Sequence, residues 1–285
     1  MRLIRHLLGT FYLFFGRYLV VKVREGLLGR RKRTPEDTKA SFSEPNLTYA
    51  EIPDFETFVF RDPGRNNYIL LNGRLTWGPQ SLPMRMFLAH LKDVIERYVE
   101  HPDTATVIEF GCGNGQNLLY LAKQFPKMRL VGIDIAAPRI ATARKAAQKF
   151  GLNVEFHVGD VTQPQPALPQ AADVCYSLAA IEQMPRVYAA ALEAMVSRAG
   201  KAVLLFEPLP ETWPLLHWRG VMSRIRASSM DYMRGLPRFL RERAYNISYM
   251  SLLDYNDDPY NPLTEIHLVP NPHGNMSHNT GIPTP

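Results

Sequence analysis

Glu109-Phe110-Gly111-Cys112-Gly113-Asn114-Gly115 is the stretch from which the architecture of this chain can be worked out. It follows Thr106-Val107-Ile108, a β-branched apolar run with the character of a buried strand. It precedes residues 114–125, which read as a helix stopped by Pro126. Glycines at alternate positions allow positive φ and let a backbone come close to a ligand. Strand, glycine turn and helix in that order are the context a nucleotide-type turn requires. The turn is not a G-x-G-x-x-G dinucleotide turn, because Gln116 stands where the third glycine would be. It is not a phosphate loop either, because no Gly-Lys-Ser/Thr follows.

Working outward, strands and helices alternate. Residues 128–133 read as a strand and 138–150 as a helix, with Pro138 in its first turn and Gly151 past its end. Residues 153–158, 172–177 and 201–206 read as further strands, 186–198 as a helix, and 162–170, with three prolines, as a loop. This spacing predicts an α/β fold: a doubly wound, mostly parallel sheet with helices on both faces. Upstream, residues 79–100 carry a helical apolar stripe, with Pro83 near its start, and 44–78 read as irregular. Downstream, 208–228 read as an insertion, 231–243 as helical, and 247–253 with 263–269 as a strand pair.

Acidic residues recur at the strand ends. Asp134 closes Val131-Gly132-Ile133, with Ile135 beside it, 19 residues after Gly115. A carboxylate there can accept both ribose hydroxyl protons of a nucleoside. Asp160 follows Val158-Gly159, where its carboxylate can accept from an exocyclic amine of adenine and the Val161 amide can face a ring nitrogen. Glu109, the glycines Gly111, Gly113 and Gly115, Asp134 and Asp160 together make one nucleoside-shaped site along the carboxyl edge of the sheet.

Residues 104–207 resemble the core of the class I S-adenosylmethionine-dependent methyltransferases. The family's E/D-x-G-x-G-x-G motif is matched in full by residues 109–115, its ribose acid by Asp134 and its adenine-side acid by Asp160. Its fourth-strand segment falls on Asp173-Val174-Cys175-Tyr176-Ser177-Leu178, which makes Ser177 a further cofactor-lining candidate. Many relatives carry Glu-His where Glu182-Gln183 stands here, so no histidine base is expected at that position. The resemblance implies a Rossmann-like seven-stranded sheet with an antiparallel pair at its C-terminal edge, S-adenosyl-L-methionine as cofactor, and methyl transfer as activity. No metal is implied. The sulfonium methyl is already a strong electrophile, so orientation of the acceptor can do most of the work. A base is needed only for an acceptor that holds its proton tightly, and Glu182, Glu207 and His217 are the candidates. Trp77 is a candidate cover for the methionine end of the cofactor.

The 285 residues allow one large domain or two small ones. The expected divisions are an arm at 1–33, a linker and cap at 34–78, the methyltransferase domain at 79–269 and a flexible tail at 270–285. Hydrophobic residues at 46% and charged residues at 21% exclude wholesale disorder. Cys112 and Cys175 are too few for a disulfide scaffold or a cysteine-built zinc site, and read as buried thiols of a cytoplasmic protein. The net charge of +6 is local. Residues 1–33 hold nine basic residues against Glu25, which leaves them at +8; the remainder, with 24 basic and 26 acidic residues, stands at −2.

Ile4, Leu7, Leu8, Phe11, Phe15, Tyr18 and Leu19 share one helical face in that arm. The arm predicts a basic amphipathic helix suited to an anionic membrane, here the inner face. Packing on the chain's own body or on a second copy is the alternative. The expected acceptor is a small molecule, lipid or lipid-linked saccharide. Trp213, Trp218, Arg219, Arg224 and Arg226 point to an acceptor with a ring and an anionic group. A nucleic-acid methyltransferase using the arm on phosphates is a competing reading, which the −2 body disfavours; a non-catalytic partner subunit is another. The sequence carries no signal of oligomeric state.

Overall fold

The computed structural model describes residues 52–214, 217–259 and 261–270, together with positions 4, 16, 19, 20, 23, 34, 37 and 40. The expected N-terminal amphipathic helix and C-terminal tail fall almost wholly outside the described residues.

The centre is a seven-stranded sheet in the order β5-β4-β3-β6-β7-β9-β8. Its strands are β3 (Thr106–Phe110), β4 (Arg129–Asp134), β5 (Glu155–Val158), β6 (Ala172–Leu178), β7 (Ala199–Pro208), β8 (Ile247–Leu252) and β9 (Leu263–Leu268). The first five run parallel, and β9 pairs antiparallel to both β7 and β8. The order reverses between β3 and β6, and ligands of open α/β sheets bind outside the carboxyl ends at such a point.

Alternation along the strands fills two cores. Val107, Leu130, Val174, Tyr176, Ala202, Leu204 and Phe206 face one layer. There they meet Leu88 and Leu91 of α2 (Leu82–Tyr98), Leu118 of α3 (Gln116–Gln124) and Ala143 of α4 (Ala137–Phe150). Ile108, Val131, Ile133, Cys175, Val203 and Leu205 face the other, against Leu192 of α5 (Tyr188–Val196) and Leu236 of α7 (Leu236–Glu242). Each fully buried aliphatic side chain contributes about 1.5–3 kcal/mol, so covering both faces is what holds a parallel sheet.

Two upstream and downstream readings change. Residues 44–78 are not irregular throughout: α1 (Phe55–Val59) and a hairpin of β1 (Asn66–Leu71) and β2 (Arg74–Pro79) occupy them. Asn72 and Gly73 take the left-handed conformation at its turn, with φ of 47° and 67°. That is the Asn-Gly turn whose twist matches a hairpin. The insertion at 208–228 is largely helix α6 (Trp218–Met230), and α7 begins only after Gly235.

Candidate functional site

The glycine turn is built from the end of β3 back onto β4. Gly111 and Cys112 donate their N–H groups to the Ile133 carbonyl at 2.8 and 3.0 Å. Gly111 and Gly115 take φ of +79° and +77° and leave no room for a side chain. A Cβ at Gly111 would lie 2.3 Å from the Ala180 Cβ, and one at Gly115 2.6 Å from the Phe156 ring. The middle of the turn stays open to Asp134: Gly113 N–H donates to Asp134 Oδ2 at 2.9 Å. Ala136 N–H donates to Oδ1 at 2.8 Å, so both carboxylate oxygens are fixed by backbone and each keeps a further lone pair.

Asp160 is held by its own turn. Its Oδ1 accepts from Thr162 N–H at 2.9 Å and from the Thr162 hydroxyl at 2.7 Å, while Oδ2 has no hydrogen bond among the described residues. Glu109 lies on the inner face of β3. Its Oε1 accepts from Asn117 Nδ2 at 2.5 Å, and its Oε2 is buried without a partner. Burial pushes the Glu109 pKa up to about 8, against the opposing pull of Asn117, Tyr176 and Arg61.

These groups surround a cavity of about 600 Å³. Its wall includes Glu109, Gly111, Gly113, Asp134, Ile135, Asp160 and Val161, together with residues 178–180 and 183–187. The acids and the turn are thus brought together, with Gly115 behind the wall in contact with Phe156.

Five expected positions are not brought there. Ser177 is fully buried and donates to Glu207 Oε1 at 2.8 Å, which corrects its expected place beside the cofactor. Glu207 does not face the cavity. It is 0% exposed and also accepts from the N–H groups of Ala180, Ile181 and Glu182 at 3.3, 3.2 and 3.0 Å. Its carboxylate satisfies the open donors of the 3₁₀ turn Ile181–Gln183, as a capping group would. Glu182, in that turn, is 4% exposed and absent from the cavity wall. Burial first, then the neighbouring Glu207 charge, pushes its pKa well up, with Arg226 opposing. His217 is the N-cap of α6, its Nδ1 accepting from Arg219 N–H at 3.3 Å. Trp77 is 47% exposed on β2, edge-on to Tyr68 at 5.0 Å, and is absent from the cavity wall.

Several wall residues carry no local signal in the sequence. Arg61 enters from the turn after α1 with a φ of +51°, and Arg139 enters from the first turn of α4. Burial lowers the Arg139 pKa while Asp134 pulls it up. Arg186 comes from the segment after β6, where it pairs with Asp231 at 2.7 Å, near Gln183, which the resemblance marks as the position of a histidine in many relatives. Only the fold brings these segments to the motif.

The chain is similar to known proteins in this same region. The family description "Methyltransferase domain" matches residues 107–200. Trans-aconitate 2-methyltransferase of Azoarcus sp. (strain BH72) is 32% identical over 94 residues, 33% of this chain and 34% of that protein. Carboxy-S-adenosyl-L-methionine synthase of Campylobacter curvus (strain 525.92) is 29% identical over 139 residues, 48% of this chain and 52% of that protein. The chain therefore aligns with about half or less of the length of these curated relatives. Among solved structures, the [4+2]-cyclase SpnF superimposes with a TM-score of 0.53 at 16% identity, covering 78% of this chain and 76% of that one. Geranyl diphosphate C-methyltransferase from Streptomyces coelicolor A3(2), in complex with Mg2+, geranyl diphosphate and S-adenosyl-L-homocysteine, gives 0.51 at 8% identity, covering 77% and 99%. At such identities the structures establish the Rossmann-like fold. Glycine turn, sheet order and family match agree: residues 107–200 match the methyltransferase-domain family and resemble the class I S-adenosylmethionine-dependent methyltransferases.

Proposed function

We propose that this chain binds S-adenosyl-L-methionine in the cavity and transfers its methyl group to a small-molecule acceptor. The observation that carries the reading is Asp134. Its carboxylate is held at both oxygens by Gly113 and Ala136 N–H groups on the cavity wall, ready to accept from two vicinal hydroxyls. The other wall groups fit the same molecule. Asp160 Oδ2 and the Val161 amide suit an adenine edge. The unpartnered Glu109 Oε2 suits an ammonium, and Arg61 and Arg139 suit a carboxylate.

The cofactor supplies a methyl group on an electrophilic sulfonium. What the chain's own residues contribute is orientation and exclusion of water. The turn and the acids fix the nucleoside, and residues 178–180 and 183–187 complete the wall around it. Glu207 is committed to hydrogen bonds away from the cavity and Glu182 is buried off its wall, so neither serves as base. Incubation of the full chain with methyl-labelled cofactor and a pool of small metabolites tests this. Label should appear in an acceptor, and the Asp134→Ala variant should lose it. Label transfer unaffected by that change contradicts the assignment.

The finer part of the proposal places the reaction at a membrane surface. The arm at 1–33 carries +8 on an apolar helical pattern, and Ile4 and Leu19 are helical and exposed, at 61% and 52%. No helix among the described residues is long and apolar enough to cross a membrane. Flotation with anionic vesicles should show binding that falls with added salt and is lost on deleting residues 1–33. Equal binding to neutral vesicles contradicts the electrostatic part.

A further inference from the structure

The segment leading from β7 into α6 carries three arginines, and the structure gives them different partners. Arg226 hydrogen-bonds to Asp258 and faces the buried Glu182. Two further acids nearby are held by backbone. Glu207 holds the 3₁₀ turn, and Glu211 accepts from Gly235 N–H at 2.7 Å.

A knot of hydrogen-bond donors remains around Gly220. Arg224 Nη2 donates to the Trp213 carbonyl at 2.6 Å, while Arg224 Nη1, Trp213 Nε1 and Ser223 Oγ are all buried with no hydrogen-bond partner. Ser223 as a whole is only 1% exposed. Gly220 brings Arg224 and Trp213 together: a Cβ there would stand 2.8 Å from Arg224 Nη1, 2.9 Å from the Trp213 Cβ and 2.6 Å from the Pro214 carbonyl. The Arg219 guanidinium lies 5.9 Å from the Trp213 ring centroid, and the His217 ring lies 5.1 Å from it on the same tryptophan. No described carboxylate hydrogen-bonds to Arg224, Trp213 or Ser223. Trp213, His217 and Arg224 are part-exposed as residues, while the three unpartnered donor atoms lie beneath the surface.

A buried donor without an acceptor is costly, and native structures satisfy such groups with protein, water or ligand. Three in one knot, beside a second arginine and an aromatic ring, match a compact anion attached to a ring. We infer that this knot is the subsite for an anionic group, a carboxylate or phosphate, on a ring-bearing acceptor. Its place supports that role. The same helix reaches Glu182 through Arg226, and Gln183, the next residue, lies on the cavity wall. The inference rests on the methyl-transfer reading only for calling the ligand an acceptor.

The test titrates phenyl phosphate and inorganic phosphate into the full chain, followed by calorimetry and tryptophan fluorescence. S-adenosyl-L-homocysteine is titrated in parallel. The expected result is phenyl phosphate binding at least about fivefold tighter than inorganic phosphate. Arg224→Gln should weaken both by about tenfold and leave S-adenosyl-L-homocysteine affinity unchanged. Trp213→Phe keeps a smaller aromatic ring and removes the pyrrole ring with its N–H, so it should weaken phosphate binding, with the far-ultraviolet circular dichroism of the variant checked against wild type. Equal affinity for wild type and both variants overturns the site. Equal affinity for the two phosphates overturns the ring-bearing acceptor. If phosphate binds as expected but S-adenosyl-L-homocysteine does not, the anion site stands and the methyl-transfer reading falls. The reverse removes the anion site alone.

Discussion

The carboxyl edge of the sheet has two halves that look alike in sequence and differ in structure. After β4 and β5, Asp134 and Asp160 stand on the cavity wall, Asp134 steadied by N–H groups of the glycine turn and of Ala136, Asp160 by the Thr162 N–H of its own turn. Beyond β6 and at the end of β7, Glu182 and Glu207 turn inward and are buried. The difference lies in what surrounds each acid. The glycine turn bends away and leaves Asp134 an open side. The 3₁₀ turn after β6 instead offers Glu207 three unsatisfied N–H groups, and its carboxylate is absorbed in satisfying them. An acid at a strand end is therefore a ligand group only where the neighbouring backbone leaves it one. The halves meet at Gly111, packed on Ala180, whose N–H Glu207 holds.

The sharpest way to break this contrast is Glu207→Ala. It would leave three N–H groups and the Ser177 hydroxyl buried without an acceptor. At about 1–3 kcal/mol for each, stability should fall by at least about 4 kcal/mol. Urea denaturation measures it, and a loss below about 1 kcal/mol would return Glu207 to the list of functional acids.

The seam itself comes next. Gly111→Ala forces a Cβ onto Ala180 in a left-handed conformation and should cost about 2–5 kcal/mol. Gly113→Ala meets only Arg139 Nη1, at 3.5 Å, and should cost the conformational part alone, about 1–2 kcal/mol. Thermal melts of the two variants check the order. If Gly113→Ala is the worse of the two, the packing account of the turn is wrong.

A smaller effect sharpens the cofactor side. With a pKa of about 8 against an ordinary 4.5, Glu109 holds a proton in the empty folded chain that the unfolded chain has released. Its contribution to stability therefore falls as pH rises from about 4.5 to about 8. If it must ionise to meet the cofactor ammonium, binding releases up to about one proton near neutral pH, and affinity rises with pH until about 8. Calorimetry in buffers of different ionisation heats detects that proton. Glu109→Gln should abolish the release, and an absence of buffer dependence in wild type would count against the coupling.

Much of the first half of the edge was legible in the sequence because its chemistry is local. Residues 109–115 specify their own bend, and Asp134 and Asp160 each follow a strand whose alternation can be read. The hairpin at Asn72-Gly73 was also written locally, but the polar composition of residues 44–78 obscured the alternation of Tyr68 and Leu70 across from Trp77 and Leu75. Arg61 and Arg139 were not legible, since neither belongs to a pattern until α1 and α4 are docked. The role of Glu207 was hidden for the same reason: its donors lie 25 to 27 residues upstream, or 30 for Ser177.

The central claim is that Asp134 is the nucleoside-holding acid of a cofactor site. Calorimetric titration of S-adenosyl-L-homocysteine into wild type and Asp134→Ala tests it most directly. Removing a hydrogen-bonded charged partner should cost about 1.5–3 kcal/mol, a loss of about 10- to 150-fold in affinity. Equal affinities would take Asp134 out of the site, and no binding by the wild-type chain would contradict the whole account.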